Sequence, residues 1–158
     1  MNKMYENLSI DNLKYLACAI DTEGSLSFGA RITNSKTHMK FNLHCDIVNT
    51  NKEWLEYICK LLEINKIEVR DRGQGLRIIY SLYIPKLKLE ELLPKILPYL
   101  IIKREHAKTM LEFIKLRKTK GRKSTYGVEE LELYEQMKFL NSKSYGGKFI
   151  IKEVIKDP

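Results

Sequence analysis

Leu16-Ala17-Cys18-Ala19-Ile20-Asp21-Thr22-Glu23-Gly24 is the stretch on which the reading of this chain turns. Leu13, Leu16, Ala17 and Ile20 fall at i, i+3, i+4 and i+7, and so do Tyr15, Cys18, Ala19 and Thr22. That spacing predicts a helix that is apolar on two faces, and such a helix is buried on more than one side. The second stripe is small (Cys18, Ala19, Thr22), which lets another helix approach closely. Ser9 or Asp11 is placed to cap the start, and Gly24 suits a left-handed C-cap. Asp21 and Glu23 stand at the C-terminal end, where the helix dipole is already negative. A local conflict of this kind calls for a compensating cation. Two arrangements satisfy it. A divalent metal can sit on the carboxylates and the free end carbonyls, or one acid can hydrogen-bond the following turn while the other is solvated.

Downstream, Ser25 to Thr33 alternates, with Leu26, Phe28, Ala30 and Ile32 against Ser25, Ser27, Gly29, Arg31 and Thr33. After a polar turn, Phe41 to Asn49 alternates again, with Phe41, Leu43, Cys45 and Ile47 against Asn42, His44, Asp46 and Val48. Two half-buried strands in a hairpin are predicted. Thr50-Asn51-Lys52-Glu53 fits a capping box, ahead of a helix striped by Leu55, Ile58, Cys59 and Leu62. Lys66 to Gly73 is predicted to be a strand with Ile67, Val69 and Asp71 on one face and Glu68, Arg70 and Arg72 on the other. Gly73-Gln74-Gly75 turns the chain, and Leu76 to Ile84 is predicted to return, with Ile78, Tyr80, Leu82 and Ile84 opposite Arg77, Ile79, Ser81 and Tyr83. Leu89, Leu92, Leu93 and Ile96 stripe the next helix, which Pro94 is expected to kink and Pro98 to end. A basic helix follows from Lys103 to Lys118, striped by Ala107, Met110, Leu111 and Ile114. Arg117 to Lys123 is expected to be a basic loop, either on phosphate or solvated. Val128 to Leu140 is a further helix, and the residues from Asn141 on are a polar tail.

The order is therefore α-β-β-α-β-β-α, an α+β class with one antiparallel sheet and additional C-terminal helices. Helices would cover the apolar face. The open face would carry Ser27, Gly29, Arg31, Thr33, Lys40, Asn42, His44, Asp46, Glu68, Arg70, Arg72, Gln74 and Arg77. That face is either an ordinary solvated surface or one that lies in a DNA major groove, arginine matching guanine and Asn42 or Gln74 matching adenine. Lysines outside the groove would contact phosphates. A deep A-form groove disfavours the same insertion into RNA.

At 158 residues one domain is expected, with a core from about residue 10 to 118 and a helical extension over 119–158. A net charge of +8 (28 basic against 20 acidic residues) favours a polyanionic partner. Cys18, Cys45 and Cys59 are odd in number and form no CxxC pair, against a disulfide framework or zinc site and for a reducing compartment. No apolar run reaches membrane-spanning length, so an intracellular protein (cytoplasm, nucleoid or organelle) with no membrane partner is expected. His38, His44 and His106 make no metal pattern, and Trp54 reads as core.

The nine-residue stretch resembles the signature of the LAGLIDADG homing endonucleases. Leu16, Ala17, Ile20, Asp21, Glu23 and Gly24 fit, with Ala19 as a permitted apolar residue, Cys18 in place of glycine and Glu23 in place of aspartate. Val69-Arg70-Asp71-Arg72-Gly73 and Pro98-Tyr99-Leu100-Ile101-Ile102-Lys103 are similar to segments of the single-motif, homodimeric branch. The resemblance implies a saddle-shaped DNA-binding sheet and a double-strand DNA endonuclease that serves intron homing. It makes Glu23 the metal-binding carboxylate, aided by the Thr22 carbonyl, and sets Asp21 at the paired helix ends. Asn49 would order water, Lys103 would lie near the scissile phosphate, and Lys52 is the candidate for a basic residue after the second strand. Mg2+ is the implied cofactor, with Mn2+ or Ca2+ able to replace it in binding, and no small-molecule substrate is implied.

Phosphodiester hydrolysis is well served by two metals that clamp the attacking and leaving oxygens. A single Glu23 complements two metals poorly, and no other helix here ends in acid–x–acid–glycine. A second subunit, joined through Tyr15, Cys18, Ala19 and Thr22, is the simplest source of the second carboxylate, and its two-fold symmetry calls for a nearly palindromic target. An RNA maturase or a non-cleaving DNA-binding protein on the same fold is the alternative, and the intact Asp21–x–Glu23 pair favours the enzyme.

Overall fold

The computed structural model of the chain describes residues 5–32, 39–73, 75–121 and 125–143. Thr33, His38 and Gln74 lie outside the described residues, as do the side chains of Arg31, Ile32, Met39 and Lys143.

Helix α1 (Ile10–Glu23) starts at Ser9, whose hydroxyl accepts the Asn12 N–H at 3.2 Å. A serine oxygen satisfies one of the N–H groups that the first turn leaves without a partner. Gly24 does not form a left-handed cap. Its φ of -83° and ψ of 158° are extended, and strand β1 (Gly24–Ile32) begins at that residue. A glycine is required there for space. A Cβ at Gly24 would stand 2.6 Å from the Ile20 carbonyl oxygen and 2.8 Å from its Cα. The chain therefore passes from helix to strand with no intervening loop, and the residues at the end of α1 are tied directly to the sheet.

Strand β1 pairs antiparallel with β2 (Met39–Asn49), from Gly24 opposite Ile47 to Ile32 opposite Met39. Beyond β2 lie β4 (Ile79–Tyr83) and then β3 (Glu68–Arg70), giving one four-stranded sheet of order β1-β2-β4-β3. Helices α2 (Lys52–Leu62) and α3 (Lys86–Ile96), a 3-10 turn (Leu97–Tyr99), α4 (Arg104–Lys120) and α5 (Val128–Lys143) complete the order. This is the α+β arrangement that the alternating and striped segments predict. Leu26, Phe28, Phe41, Leu43, Cys45, Ile47, Leu82 and Ile84 of the sheet are buried, with Leu16, Ala17, Ile20, Leu55, Ile58, Leu92, Leu93 and Met110 of the helices in the same core cluster. Each such aliphatic side chain contributes roughly 1.5–3 kcal/mol, which fixes α1 firmly against the sheet.

Several expectations are corrected. Strand β3 covers only three residues of the predicted Lys66–Gly73, and Val69 is 59% exposed. It is the outermost strand and pairs with β4 alone; of its Ile67–Val69–Asp71 side only Ile67 packs against the core, and Val69 and Asp71 are exposed. Asp71 instead turns the chain, its carboxylate accepting the Gly73 N–H at 2.8 Å. Strand β4 likewise starts later than Leu76, and Ile78 is exposed. The capping box is displaced by one residue: Asn51 caps α2 by accepting the Trp54 N–H at 3.0 Å. Pro94 lies inside α3 without ending it, and Pro98 sits in the 3-10 turn after the helix has stopped. Trp54 is only partly buried, at the edge of the core.

The basic segment at Arg117 is not a loop until Gly121, because α4 runs on to Lys120 and ends there on a glycine with φ of 82°. Two of its cations are internal ties. Glu130, fully buried, accepts from Arg117 at 3.0 Å, Lys120 at 2.9 Å and the Gly127 N–H at 2.8 Å. The Arg117 guanidinium also lies 4.2 Å from the centre of the Tyr126 ring. Burial pushes the Glu130 carboxyl up, but the Gly127 N–H, Lys120 and Arg117 outweigh it and hold its pKa down at about 2. A depressed carboxylate stabilises the fold fully above its ordinary value and loses that contribution as pH falls toward the depressed one. Thermal melting is expected to weaken between about pH 4.5 and 2. Glu130→Gln is expected to cost about 2 kcal/mol at pH 7 by removing the buried carboxylate from Arg117 and leaving Lys120 only its pair with Glu129, and to flatten that acid limb.

No helix among the described residues is long and apolar enough to cross a membrane.

Candidate active site and groove face

The two acids at the end of α1 have separate fates. Asp21 is 7% exposed. Its Oδ2 accepts the N–H groups of Ile101 at 2.6 Å and Ile102 at 3.2 Å, and its Oδ1 accepts that of Lys103 at 2.8 Å. These donors lie just ahead of α4, whose N-cap Lys103 makes no side-chain capping bond of its own. The positive end of α4 thus receives the carboxylate that the negative end of α1 disfavours. The Lys103 ammonium completes the exchange by donating to the Asp21 carbonyl. One acid is hydrogen-bonded, as the sequence allowed, but to a turn 80 to 82 positions away and not to the turn that follows it.

Glu23 is exposed and makes no hydrogen bond or ion pair with the described residues. It lines a cleft of about 340 Å³ with Tyr15, Cys18, Ala19, Thr22, Asn49, Asn51 and Trp54. The cleft walls are held by short contacts. The Trp54 indole donates to the Tyr15 hydroxyl at 2.7 Å, and the Tyr15 and Tyr57 rings meet edge to face with centres 5.5 Å apart. The Thr22 hydroxyl donates back to the Cys18 carbonyl at 2.9 Å. The Asn49 side-chain oxygen accepts the Asn51 N–H at 2.9 Å, which leaves its amide N–H groups as the donors it can offer a ligand. Lys103 is half-buried, and burial pulls its ammonium below the usual lysine value, with Asp21, Cys45 and Glu23 opposing the shift.

The structure therefore brings Glu23, Thr22 and Asn49 into one cleft, with Lys103 anchored on the carbonyl two residues before Glu23. Asp21 is turned away into the backbone of 101–103. Tyr15, Cys18 and Thr22 are exposed, whereas Ala19, from the same stripe, is buried at 3% in its own core. Lys52 is tied to Glu56 at 2.9 Å on the exposed side of α2. Among the described residues no three histidine, cysteine or carboxylate side chains are gathered as a metal site. Glu23 and free main-chain oxygens fit a hard divalent cation in kind, but one chain offers half a shell.

On the sheet, Ser27 faces His44 across β1 and β2, Gly29 faces Asn42, and Lys40 pairs with Arg31 at the backbone. Ser27, His44 and Asp46 are partly exposed and Lys40 and Asn42 fully so, opposite buried Phe28, Leu43 and Cys45. Glu68, Arg70, Arg72 and Arg77 are exposed at the far edge, Arg70 lying 3.8 Å from Glu68. Gly29 has a steric role: a Cβ there would come within 2.9 Å of His44 Nε2, so the imidazole lies across β1 only over a glycine. Tyr83, 40% exposed, has its ring centre 6.1 Å from that of His44. It belongs on this face by its period-two position in β4, a signal present in the sequence but not singled out.

No family model matches the chain, and no curated protein matches it in sequence. Solved structures do. The homing endonuclease I-CvuI, in complex with the I-CreI target in the presence of Mg, aligns over 90% of this chain and 85% of its own at 21% identity, with a TM-score of 0.55. The fold is that of a homing endonuclease. I-CeuI, a group I intron-encoded homing endonuclease complexed with DNA, aligns over 83% of this chain and 68% of its own at 14% identity and a TM-score of 0.63. The archaeal intron-encoded homing endonuclease I-Vdi141I, also complexed with DNA, covers 83% of this chain and 97% of its own at 17% identity and 0.55. The homing-endonuclease fold accounts for the single antiparallel sheet, the helix that runs directly into it and the helices on one face. Identities this low carry the fold and not the assignment of any residue.

Proposed function

We propose that the chain is a LAGLIDADG homing endonuclease of the homodimeric kind, which hydrolyses both strands of a long, nearly palindromic DNA site with magnesium. The observation that carries this is the split between the two acids. Asp21 is consumed by main-chain donors, and Glu23, two residues on, lines a cleft with Asn49 and Asn51 and bonds to none of the described residues. A carboxylate held rigidly at a helix end, with no hydrogen bond or ion pair among the described residues, is suited to a hard cation. Glu23 and the Thr22 carbonyl are the residues that would hold it, and Mn2+ or Ca2+ would replace Mg2+ in binding. When bound, the metal supplies an acidified water and neutralises charge on the phosphate. Asn49 offers amide donors to that water or phosphate, and Lys103 adds a cation with a fixed anchor point. Residues 1–158 would form one intracellular endonuclease domain, in which the segment beyond 118 is an extension.

Half a ligand shell per chain supports a second copy. The exposed Tyr15, Cys18 and Thr22 lie on one flank of α1, and Ile101 and Ile102 stand 84% and 65% exposed beside its end. Apolar side chains in that position favour burial by a partner. The open sheet face with Lys40 and Arg70, and the exposed Arg72 and Arg77 in the connection between β3 and β4, support duplex DNA as the substrate.

The test is incubation of purified protein and magnesium with a plasmid carrying the uninterrupted insertion junction of its own reading frame. A linear product supports the endonuclease. Binding of the flanking intron RNA with no cut would favour a maturase, and operator-like DNA binding indifferent to magnesium would favour a regulator.

A further inference from the structure

The β1–β2 hairpin runs beyond the rest of the sheet. Strand β4 lies beside β2 only from Asp46 to Asn49, and β1 ends the strand order. From Ser27 to Ile32 and from Met39 to His44 the hairpin is therefore a two-stranded ribbon among the described residues. A cavity of about 810 Å³, lined in part by Phe41, Leu43, Tyr83, Phe113 and Tyr126, opens beside β2. The Leu43 and Phe41 carbonyls accept there from tyrosine hydroxyls, Tyr83 and Tyr126, each at 3.5 Å, where a paired strand would offer N–H groups. A two-stranded ribbon is marginal in water and needs a packed face.

That face is supplied from the far end of the chain. Phe28, Phe41 and Leu43 are buried. The Phe41 ring centre lies 5.0 Å from that of Tyr134 in α5, 5.2 Å from Tyr126 and 6.0 Å from Phe113 in α4. Phe28 lies 4.8 Å from Phe113. These rings meet tilted or edge to face, as aromatic pairs prefer. Tyr126 is itself held, because the Arg117 guanidinium lies 4.2 Å from its ring centre and pairs with the buried Glu130 of α5. Near the other end of α5, the Asn141 amide donates to the Leu26 carbonyl of β1 at 3.2 Å.

Alternation sends Phe28, Phe41 and Leu43 down onto this seat and Ser27, Lys40, Asn42 and His44 to the opposite, open face. The tilt of the open face is thus set from below. We propose that Tyr126 and Tyr134 are positioning residues for recognition: the seat they form under Phe41 fixes the angle of the ribbon and so determines how the outer base pairs of the DNA site are read, apart from the chemistry at Glu23. Both act through Phe41. Lys40 stands six residues from Asp46, about 20 Å at the rise of an antiparallel strand. In a groove that length covers about six base pairs, at about 3.4 Å each. A change of tilt at the seat moves Lys40 most and leaves Asp46, paired with Tyr83 of β4, in place.

The proposal rests on the nuclease reading for its ligand, duplex DNA, and its first readout needs no DNA. Tyr126→Leu/Tyr134→Leu keeps apolar bulk and removes two of the three rings around Phe41. Tyr126→Phe/Tyr134→Phe keeps both rings. Amide exchange is measured at 27–30 and 40–44 in the ribbon, and at β4 and α1 for comparison. In the leucine pair, protection of the ribbon is expected to fall about tenfold while β4 and α1 hold within about twofold. The phenylalanine pair is expected to stay within about threefold of the wild type throughout. Equal loss at every site, or no loss in the ribbon, overturns the proposal. Where the leucine pair does not fold, Tyr134→Leu alone is read in the same way.

The second readout is hydroxyl-radical footprinting in calcium, on a duplex carrying the uninterrupted insertion junction. The leucine pair is expected to lose protection about fivefold over about the outer six base pairs and to keep the centre within about twofold, whereas the phenylalanine pair keeps both. Uniform weakening, or an unchanged footprint under a loosened ribbon, overturns the proposal. A duplex left unprotected by every protein, wild type included, while the ribbon loosens as expected, counts against the nuclease reading and not against the seat.

Discussion

Glu23→Gln is expected to leave DNA binding within about twofold of the wild type and to lower magnesium-dependent cleavage by more than about a thousandfold. The side chain keeps its length and its polarity and loses only its charge. Because Glu23 is exposed and forms no bond with the described residues, its replacement disturbs no packing. The melting temperature should stay within about a degree, since surface changes away from special features stay near half a kcal/mol. Removing a carboxylate from the end of α1 relieves a repulsion with the helix dipole, so any shift should be upward. The expected loss is therefore confined to chemistry. A gel-shift assay in calcium and a cleavage assay in magnesium, run on the same preparation, read the two quantities apart. Retained cutting by Glu23→Gln would show that the metal is held elsewhere and remove the basis of the proposed mechanism. Loss of binding together with cutting would point instead to a role in DNA contact.

The elements that could be read from sequence are those whose pattern is local. The period-two runs in β1 and β2 mark the core side correctly at Leu26, Phe28, Phe41, Leu43, Cys45 and Ile47, which are buried, but not at Ala30, which is exposed toward the far end of the hairpin. The same rule overextends β3, since alternation records which residues are apolar and not whether anything lies over them. The α4 stripe of Ala107, Met110 and Ile114 is buried as expected, but His106, Thr109 and Phe113 are buried too. A helix covered on two sides buries a wider arc than a single stripe predicts, and the second cover, α5, is brought in by the Glu130 ties and by Asn141. Those ties join residues 10 to 115 positions apart, a range over which helical spacing says nothing. At the candidate site, the two acids and a split between a bonded and a solvated one were legible, but not which acid is bonded nor that its partners lie at 101–103. The residues that decide it are main-chain N–H groups, which carry no signature in the sequence.

Asp21→Ala is expected to cost about 3–5 kcal/mol of folding stability at pH 7 and to lower cleavage about a hundredfold at any temperature where the variant remains folded. The reason lies in what the carboxylate leaves behind. Three main-chain N–H groups at Ile101, Ile102 and Lys103 converge on its two oxygens at 2.6 to 3.2 Å. Hydrogen bonds to a charged acceptor are each worth about 1.5–3 kcal/mol, and water can reach only part of a pocket in which the carboxylate is almost wholly buried. Asp21→Asn keeps the shape and one acceptor but turns an NH2 group toward a donor, so it should recover less than half of the loss. The catalytic effect is a separate matter of geometry. Without Asp21 the 101–103 turn is no longer pinned to α1, and Lys103 loses its fixed approach to the main-chain carbonyl that precedes Glu23 by two residues. A displacement on the order of 1 Å can lower a rate about a hundredfold. Urea unfolding followed by cleavage well below the midpoint distinguishes the two effects. A variant that unfolds earlier but cuts normally while folded would show that Asp21 serves stability alone. A variant as stable as the wild type would contradict the main-chain contacts on which the division between the two acids depends.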